Sequence, residues 1–172
     1  MSKLPGKIFS ENLIFCKPSM DHLKLWYHAI TSSLPELRPS LRWRSKTYTR
    51  EECADKLRQF IADFDHDRGE YVYFMFDFKD LDYIGCISLH NIDSKSHTAE
   101  LGYWIARGMG VRGYAAEAVL VMEQVAIDRL GIKSVKVKFK VHNPKKMQAA
   151  LKEGFVLSED VSIYDIMTPE GE

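Results

Sequence analysis

The spacing of apolar residues predicts a short strand, two helices and three further strands in the first two thirds of the chain. Leu13–Cys16 is a short apolar run that Pro18 stops. Ser19 is placed as the N-cap of a first helix, and Thr49 and Glu52 form the capping box of a second. A Pro-containing loop joins the two helices. The loop covers residues 34–43. The three predicted strands after the second helix cover residues 70–78, 83–92 and 98–105.

The last third of the chain predicts a helix from Ala115 to Leu130, with Gly131 in the left-handed conformation that ends it. A half-buried strand follows, in which valines and Phe139 alternate with lysines. Asn143 is an N-cap candidate for a short final helix, and strands are expected over 155–157 and 161–167. The resulting order, βααβββαβαββ, predicts an α/β (α+β) fold in which residues 1–172 form a single domain.

Composition excludes several classes of function. The formal net charge is zero, which argues against nucleic acid and an anionic membrane as partners. The first residues lack the apolar core of a signal peptide, and no apolar run is long enough for a membrane span, so a cytoplasmic protein is expected. The three cysteines are interpreted as free thiols, and the histidines show no metal-ligand spacing. No metal is therefore expected.

A glycine-rich turn between a predicted strand and a predicted helix is the most informative motif. It spans 107–115, and such a turn leaves backbone N–H groups unpaired at the positive end of the helix dipole. A phosphate-bearing cofactor is the expected ligand. Gly108, Gly110 and Gly113 match the spacing of a dinucleotide-binding turn, but the next strand does not end in the acid that would bind a ribose hydroxyl. An NADP-binding protein is therefore kept only as a remote alternative.

The region from Ala99 to Phe155 resembles the GNAT superfamily of acyl-CoA-dependent N-acetyltransferases, in particular the branch of ribosomal-protein N-terminal and spermidine acetyltransferases. The segments that carry the resemblance are 99–105, 113–118, 130–132 and 143–155. The resemblance implies a GNAT-like fold, with a mixed and mostly antiparallel central sheet flanked by helices. It also implies that acetyl-CoA or coenzyme A is the co-substrate.

The resemblance assigns coenzyme binding to two further segments. Backbone amides of the turn would hold the pyrophosphate, and the strand before it would pair with the pantetheine arm. The residues concerned are Gly110, Val111, Arg112, Gly113, Tyr114 and Ala115 in the turn, and Tyr103, Trp104 and Ile105 in the strand. Gly110 departs from the Gln or Arg of the family, which predicts weaker coenzyme binding. Gly113 and Ala115 fit the family pattern.

Two residues of the predicted final helix are also candidates for the coenzyme site. Asn143 stands where family members use an Asn near the coenzyme arm, although an N-cap role also explains it. Lys146 could meet the adenosine phosphates. Lys146 and Ala150 replace the Ser and Tyr that serve family members as the acid for the departing thiolate, so that acid is missing from this helix. A thiolate is a fair leaving group without it.

Two residues are candidates for the base that an amine acceptor requires. A primary amine is mostly protonated at neutral pH and attacks a thioester only when neutral. Glu100, beside the cofactor strand, is the first candidate, and His90 on the neighbouring strand is the second. A solvated strand end and a turn position are the structural alternatives for these two side chains.

The predicted function is acetyl transfer from acetyl-CoA to a primary amine by direct attack in a ternary complex. The acceptor is left open between a protein N-terminus, a polyamine and another small amine. A catalytically inactive acyl-CoA-binding sensor or assembly module is the alternative, since Gly110, Lys146 and Ala150 depart from the family pattern. The oligomeric state is left open between a monomer and a homodimer.

Overall fold

The structure, a computed structural model, describes residues 2–37, 49–109, 113–140, 155–157 and 164–169. Its helices are α1 (Leu23–Leu37), α2 (Arg50–Asp65) and α3 (Tyr114–Leu130), and a 3-10 turn over Met20–His22 precedes α1. Its strands are β1 (Lys7–Phe9), β2 (Leu13–Cys16), β3 (Tyr71–Asp77), β4 (Tyr83–Asp93), β5 (Thr98–Ile105), β6 (Ser134–Lys140), β7 (Phe155–Leu157) and β8 (Tyr164–Pro169).

All of these strands belong to one sheet in the order β1-β2-β3-β4-β5-β6-β8-β7. Short turns join β1 to β2, β3 to β4 and β4 to β5, whereas α1 and α2 lie between β2 and β3 in the chain. All four neighbouring pairs from β1 to β5 are antiparallel. The exception is the β5–β6 pair, which is parallel because α3 connects the two strands as a crossover. The mixed, mostly antiparallel sheet that the sequence predicts is therefore confirmed.

Both faces of the sheet are covered, and β3 shows why its sequence is apolar throughout. Tyr73 and Met75 pack into a cluster with α3, whereas Val72 and Phe74 pack into a second cluster with α1 and α2. A strand that is buried on both faces reads as a continuous apolar run rather than an alternating one. The helices thus lie on opposite faces of the sheet.

Local signals in the sequence set the helix ends. The Thr49 hydroxyl accepts the Glu52 N–H at 3.1 Å and the Glu52 carboxylate accepts the Thr49 N–H at 3.4 Å, as expected for a capping box. Gly131 ends α3 with φ of +64°, as predicted. Ser19 does act as an N-cap, but the residues that follow it form the 3-10 turn before α1 begins.

Two predictions about elements are wrong. Strand β1 was not expected, because only Ile8 of its three residues is partly buried and its existence depends on pairing with β2. Helix α1 continues to Leu37, through part of the predicted loop over residues 34–43. Pro35 lies in the last turn of α1 and, because it has no N–H, cannot donate the helix hydrogen bond to the carbonyl of Thr31. The predicted helix that starts at Asn143 lies outside the described residues.

Candidate active site

Strands β5 and β6 separate partway along their length. Their ladder runs from the pair Thr98–Ser134 to the pair Leu101–Val137, but β5 continues to Ile105 and β6 to Lys140. On its other edge, β5 stays paired with β4 as far as Ile105. The described backbone therefore opens a wedge between β5 and β6 that begins beside Gly102.

A bulge in β4 holds the second half of β5 in place. Gly85, whose φ is +151°, lies so close to β5 that an added Cβ would be 2.1 Å from the carbonyl oxygen of Trp104. The β3–β4 register shifts at this point, and the Ala106 N–H donates to the Ile84 carbonyl at 2.7 Å. Bulges of this kind re-aim a strand next to functional sites. Here the bulge ties β5 to β4 on one side while the wedge opens on the other.

The turn after β5 leads directly into α3. Gly108 and Gly113 have φ values of +86° and +76°, a conformation that other residues adopt only with strain. Gly113 is the N-cap of α3 and has no side chain with which to cap it, and an added Cβ there would meet no atom of the described residues within 4 Å. The backbone at the start of α3 is thus approachable, with the positive end of the helix dipole behind it.

The first turn of α3 is anchored to the sheet by two carboxylates. The buried Tyr114 hydroxyl donates to Asp77 at 2.5 Å. Glu117 accepts hydrogen bonds from the Ser10 hydroxyl at 2.5 Å and from the backbone and side-chain nitrogens of Asn12 at 2.9 and 2.7 Å. Burial raises the pKa of Glu117, but these hydrogen bonds outweigh it and the pKa is lowered overall. The Tyr114 side chain is therefore committed to the core.

The side chains at the end of β5 pack against the sheet and its helices. Trp104 is 7% exposed and its ring contacts that of Tyr83 at 6.0 Å between centroids, which is the core packing expected for the side chain. Tyr103 is partly buried beside the α3 cluster, and burial raises its pKa to about 12. A phenol that stays protonated at neutral pH can donate a hydrogen bond but is a poor base.

Glu100 and His90 are brought together on adjacent strands. The β4–β5 register places the two residues directly opposite each other, and the His90 Nε2 lies 3.5 Å from Glu100 Oε2. Their side chains are 17% and 14% exposed. Glu100 also accepts a hydrogen bond from the Asn91 side chain at 2.8 Å. Neither a solvated strand end nor a turn position describes these two residues.

Glu100 lies in the last part of β5 that is still paired with β6, where its register partner is Lys136. The wedge begins two residues further on, beside Gly102. The pair of Glu100 and His90 thus stands at the closed end of the wedge, and the α3 N-terminus follows β5 at the open end. Five of the predicted coenzyme residues lie outside the described part of the chain: Gly110, Val111, Arg112, Asn143 and Lys146.

Sequence reasoning missed Asn91, Ser88 and Glu117. Asn91 lies within the predicted strand over 83–92, and the readiness of Asn to adopt positive φ was the only available signal. Ser88 shares a strand face with His90 at a spacing of two, which a strand pattern implies but does not single out. Glu117 contacts residues more than a hundred positions earlier, and no local pattern reports such a contact.

Metal binding and membrane crossing are two further functions to which the described residues are relevant. No group of three or more histidine, cysteine or acidic side chains in that part of the chain is arranged to hold a metal ion. None of the helices there combines the length and the hydropathy that a membrane crossing needs.

Comparisons with known proteins agree with this geometry. The profile of the acetyltransferase (GNAT) domain matches residues 12–156. The ribosomal-protein-serine acetyltransferase of Escherichia coli K12 is 28% identical over 148 residues, which are 86% of this chain and 81% of that protein.

Solved structures share the fold. The ribosomal L7/L12 α-N-protein acetyltransferase RimL in complex with coenzyme A superposes with a TM-score of 0.82 at 17% identity, over 97% of each chain. The microcin C7 self-immunity acetyltransferase MccE in complex with acetyl-CoA and AMP gives a TM-score of 0.81 at 20% identity, over 98% of each chain.

Proposed function

Because the chain belongs to the acetyltransferase (GNAT) domain family, we propose that it transfers an acetyl group from acetyl-CoA to the α-amine of a protein N-terminus. The wedge between β5 and β6 is the observation that carries the proposal. It leaves one side of β5 beyond Leu101 without the β6 ladder, and it leads to the positive end of α3. An extended pantetheine arm fits the wedge and its pyrophosphate fits the helix end.

Coenzyme A, rather than a dinucleotide, is the ligand we assign to this turn. The family membership supports it, and two proteins with this fold have been solved with acetyl-CoA or coenzyme A. The predicted contacts are made by the backbone of Tyr103, Trp104 and Ile105 and by the turn from Gly110 to Ala115. The side chains of Trp104 and Tyr114 are committed to the core, so only their backbones are available for this role.

The reaction requires a base and a site for the developing oxyanion. The neutral amine attacks the thioester carbonyl, a C–N bond forms, and the C–S bond breaks to release the thiolate of coenzyme A. Glu100 accepts the proton of the amine, either directly or through a water, and backbone N–H groups of β5 stabilise the oxyanion. His90 contacts Glu100 and is the second candidate for the base.

A protein N-terminus is the acceptor class that we favour. The relative from Escherichia coli is named as a ribosomal-protein-serine acetyltransferase, and RimL is named as a ribosomal L7/L12 α-N-protein acetyltransferase. An α-amine also has a pKa of about 7.7–8.0, against about 10.4 for a lysine-like alkyl amine. A larger share of the α-amine is therefore neutral at pH 7, which suits a site with a single carboxylate base.

A competition assay tests the proposal. The protein is incubated with acetyl-CoA and an equimolar mixture of a peptide with N-terminal Ser, the same peptide with a blocked N-terminus and a lysine, and spermidine. Mass spectrometry should show acetylation of the free N-terminus first. Preferential acetylation of spermidine would refute the acceptor class. Binding of acetyl-CoA without turnover of any acceptor would favour the inactive acyl-CoA-binding alternative.

A further inference from the structure

An irregularity in β4 turns two consecutive residues towards one carboxylate. The β4–β5 register is regular up to the pair His90–Glu100, then shifts before the pair Asp93–Thr98. Asn91 lies within this shift and has a φ of +47°. Neighbouring residues of a regular strand point to opposite faces of the sheet. Because Asn91 departs from the strand conformation, its side chain and that of His90 both reach Glu100.

The contacts converge on one oxygen atom of Glu100. Oε2 accepts a hydrogen bond from the Asn91 amide at 2.8 Å and lies 3.5 Å from Nε2 of His90. The side chain of Glu100 is 14% exposed and that of His90 is 17% exposed, whereas Asn91 lies at the surface. Asn adopts the left-handed conformation more readily than most residues other than glycine, so this position suits Asn91.

The imidazole of His90 is itself held in one orientation. Its Nδ1 lies 3.2 Å from the Ser88 hydroxyl. Its Cε1 is so close to Gly102 that an added Cβ would be 3.1 Å away. The backbone of Gly102 has an ordinary conformation, so the absence of a side chain here makes room for the ring. Ser88 and Gly102 together direct Nε2 towards Glu100.

We propose that Asn91 and His90 are positioning residues that orient the Glu100 carboxylate and keep it ionised at the closed end of the wedge. This inference rests on the proposed function, in which Glu100 is the base. Donors aimed at one oxygen stabilise the charged form and fix the direction of the other oxygen. The irregularity in β4 is then the structural device that brings both donors to the base.

Other charged groups lie on β4 and on the neighbouring strands and enter the titration of this carboxylate. Lys136 is its register partner on β6, and its charge favours the ionised form of Glu100. Glu70 directly precedes β3, and the first residue of β3 pairs with Leu89, the neighbour of His90 in β4. Asp93 lies on β4 beyond the irregularity. These groups are unchanged in the variants below, so differences between variants report the two donors.

The first test measures Glu100 directly, without any substrate. Glutamate is labelled with ¹³C at Cδ, and the signal of Glu100 is assigned from its loss in Glu100→Gln. Asn91→Gly removes the amide donor but tolerates the positive φ, so the fold should be retained. The titration midpoint of Glu100 should rise by about one pH unit, and it should rise further in Asn91→Asp, where a like charge is added.

A matched control accounts for the change of backbone. Leu81 also has positive φ, at +61°, and lies exposed in the turn at the other end of β4. Leu81→Gly should leave the Glu100 midpoint where it is. An unchanged midpoint in both Asn91→Gly and His90→Gln would overturn the positioning role.

The second test is kinetic and separates this inference from the proposed function. In Asn91→Gly, the acidic limb of the kcat/KM profile should move to higher pH and kcat should fall roughly tenfold at pH 7. The Kd of acetyl-CoA should not change. A raised Glu100 midpoint in a protein that acetylates no amine would refute the proposed function but not the positioning of the carboxylate. An active Asn91→Gly with a native pH profile would overturn the positioning role alone.

Discussion

At the residue scale, the chemistry of the site depends on the positions that the strand register gives to individual side chains. Glu100 and His90 were predicted from the sequence as two alternative candidates for the base, on adjacent strands, and their contact follows from the β4–β5 register. The position of Asn91 could not be predicted in the same way. It depends on a shift in that register, which is decided by the pairing of two strands and not by either sequence alone.

Glu100→Gln tests the base. The amide keeps the size of the side chain but does not accept a proton, so kcat should fall by about 10²–10⁴-fold at pH 7. The remaining rate should rise with pH towards the pKa of the amine, because neutral acceptor becomes more abundant. Kinetics across pH 6–9 measure both effects.

Glu11→Gln, an exposed acid in the β1–β2 turn, is the control and should behave as the native protein does. A native pH–rate profile in Glu100→Gln would remove Glu100 from the role of base.

Gly85→Ala tests the bulge that fixes the second half of β5. The new Cβ would meet the Trp104 carbonyl oxygen at 2.1 Å, and neither backbone can give way easily. The free energy of unfolding should fall by about 1–3 kcal/mol or more, as measured by urea denaturation. Gly69→Ala is the control, since Gly69 has a φ of +90° but open space around it. Equal losses of stability in the two variants would show that backbone strain, and not the close approach to β5, explains why position 85 is a glycine.

At the scale of elements, α3 connects the proposed phosphate site to the rest of the sheet. Its ends were predictable, because a glycine-rich turn precedes it and Gly131 follows it. Its anchoring to the β1–β2 turn through Glu117 was not predictable, since Ser10 and Asn12 are distant in sequence. The same holds for β1, whose short sequence forms a strand only because β2 lies beside it.

Gly113→Glu tests the start of α3 as the phosphate site. The added carboxylate would stand at the N-cap, where its charge repels pyrophosphate, and acetyl-CoA affinity should fall below detection in isothermal titration. Gly131→Glu introduces the same residue at the opposite end of the same helix, again at positive φ and with open space. It should lose stability to a similar degree but bind acetyl-CoA as the native protein does. Equal affinities in both variants would refute the phosphate site.

The Glu117 anchor predicts a pH dependence of stability. Burial raises the pKa of this carboxyl, but the hydrogen bonds from Ser10 and Asn12 bring it below its ordinary value of 4.5. A group with a lowered pKa in the folded state stabilises the protein above that ordinary value, and the contribution is lost as pH falls through the folded value.

Between pH 6 and pH 3.5, the free energy of unfolding should therefore fall more steeply in the native protein than in Glu117→Gln. Urea denaturation at each pH measures the two slopes. Parallel slopes would show that Glu117 does not carry this contribution.

At the scale of the whole molecule, one mixed sheet brings together the wedge, the proposed base and the end of α3. Much of this was predictable, because the order of elements, the sheet type and the family resemblance are all visible in the sequence. The length of the β5–β6 ladder, which defines the wedge, emerges only from the packing of strands distant in sequence. The single-domain organisation of residues 1–172 stays a prediction.

Thermal unfolding with and without acetyl-CoA tests the central claim most directly. A ligand that binds only the folded state raises the free energy of unfolding by about 2.7 kcal/mol when its concentration is a hundred times its Kd. Tm rises as a consequence. The account predicts a rise in Tm with acetyl-CoA and none with NADPH, and loss of the rise in Gly113→Glu. An unchanged Tm with acetyl-CoA at millimolar concentration would contradict the coenzyme site and, with it, the proposed transfer reaction.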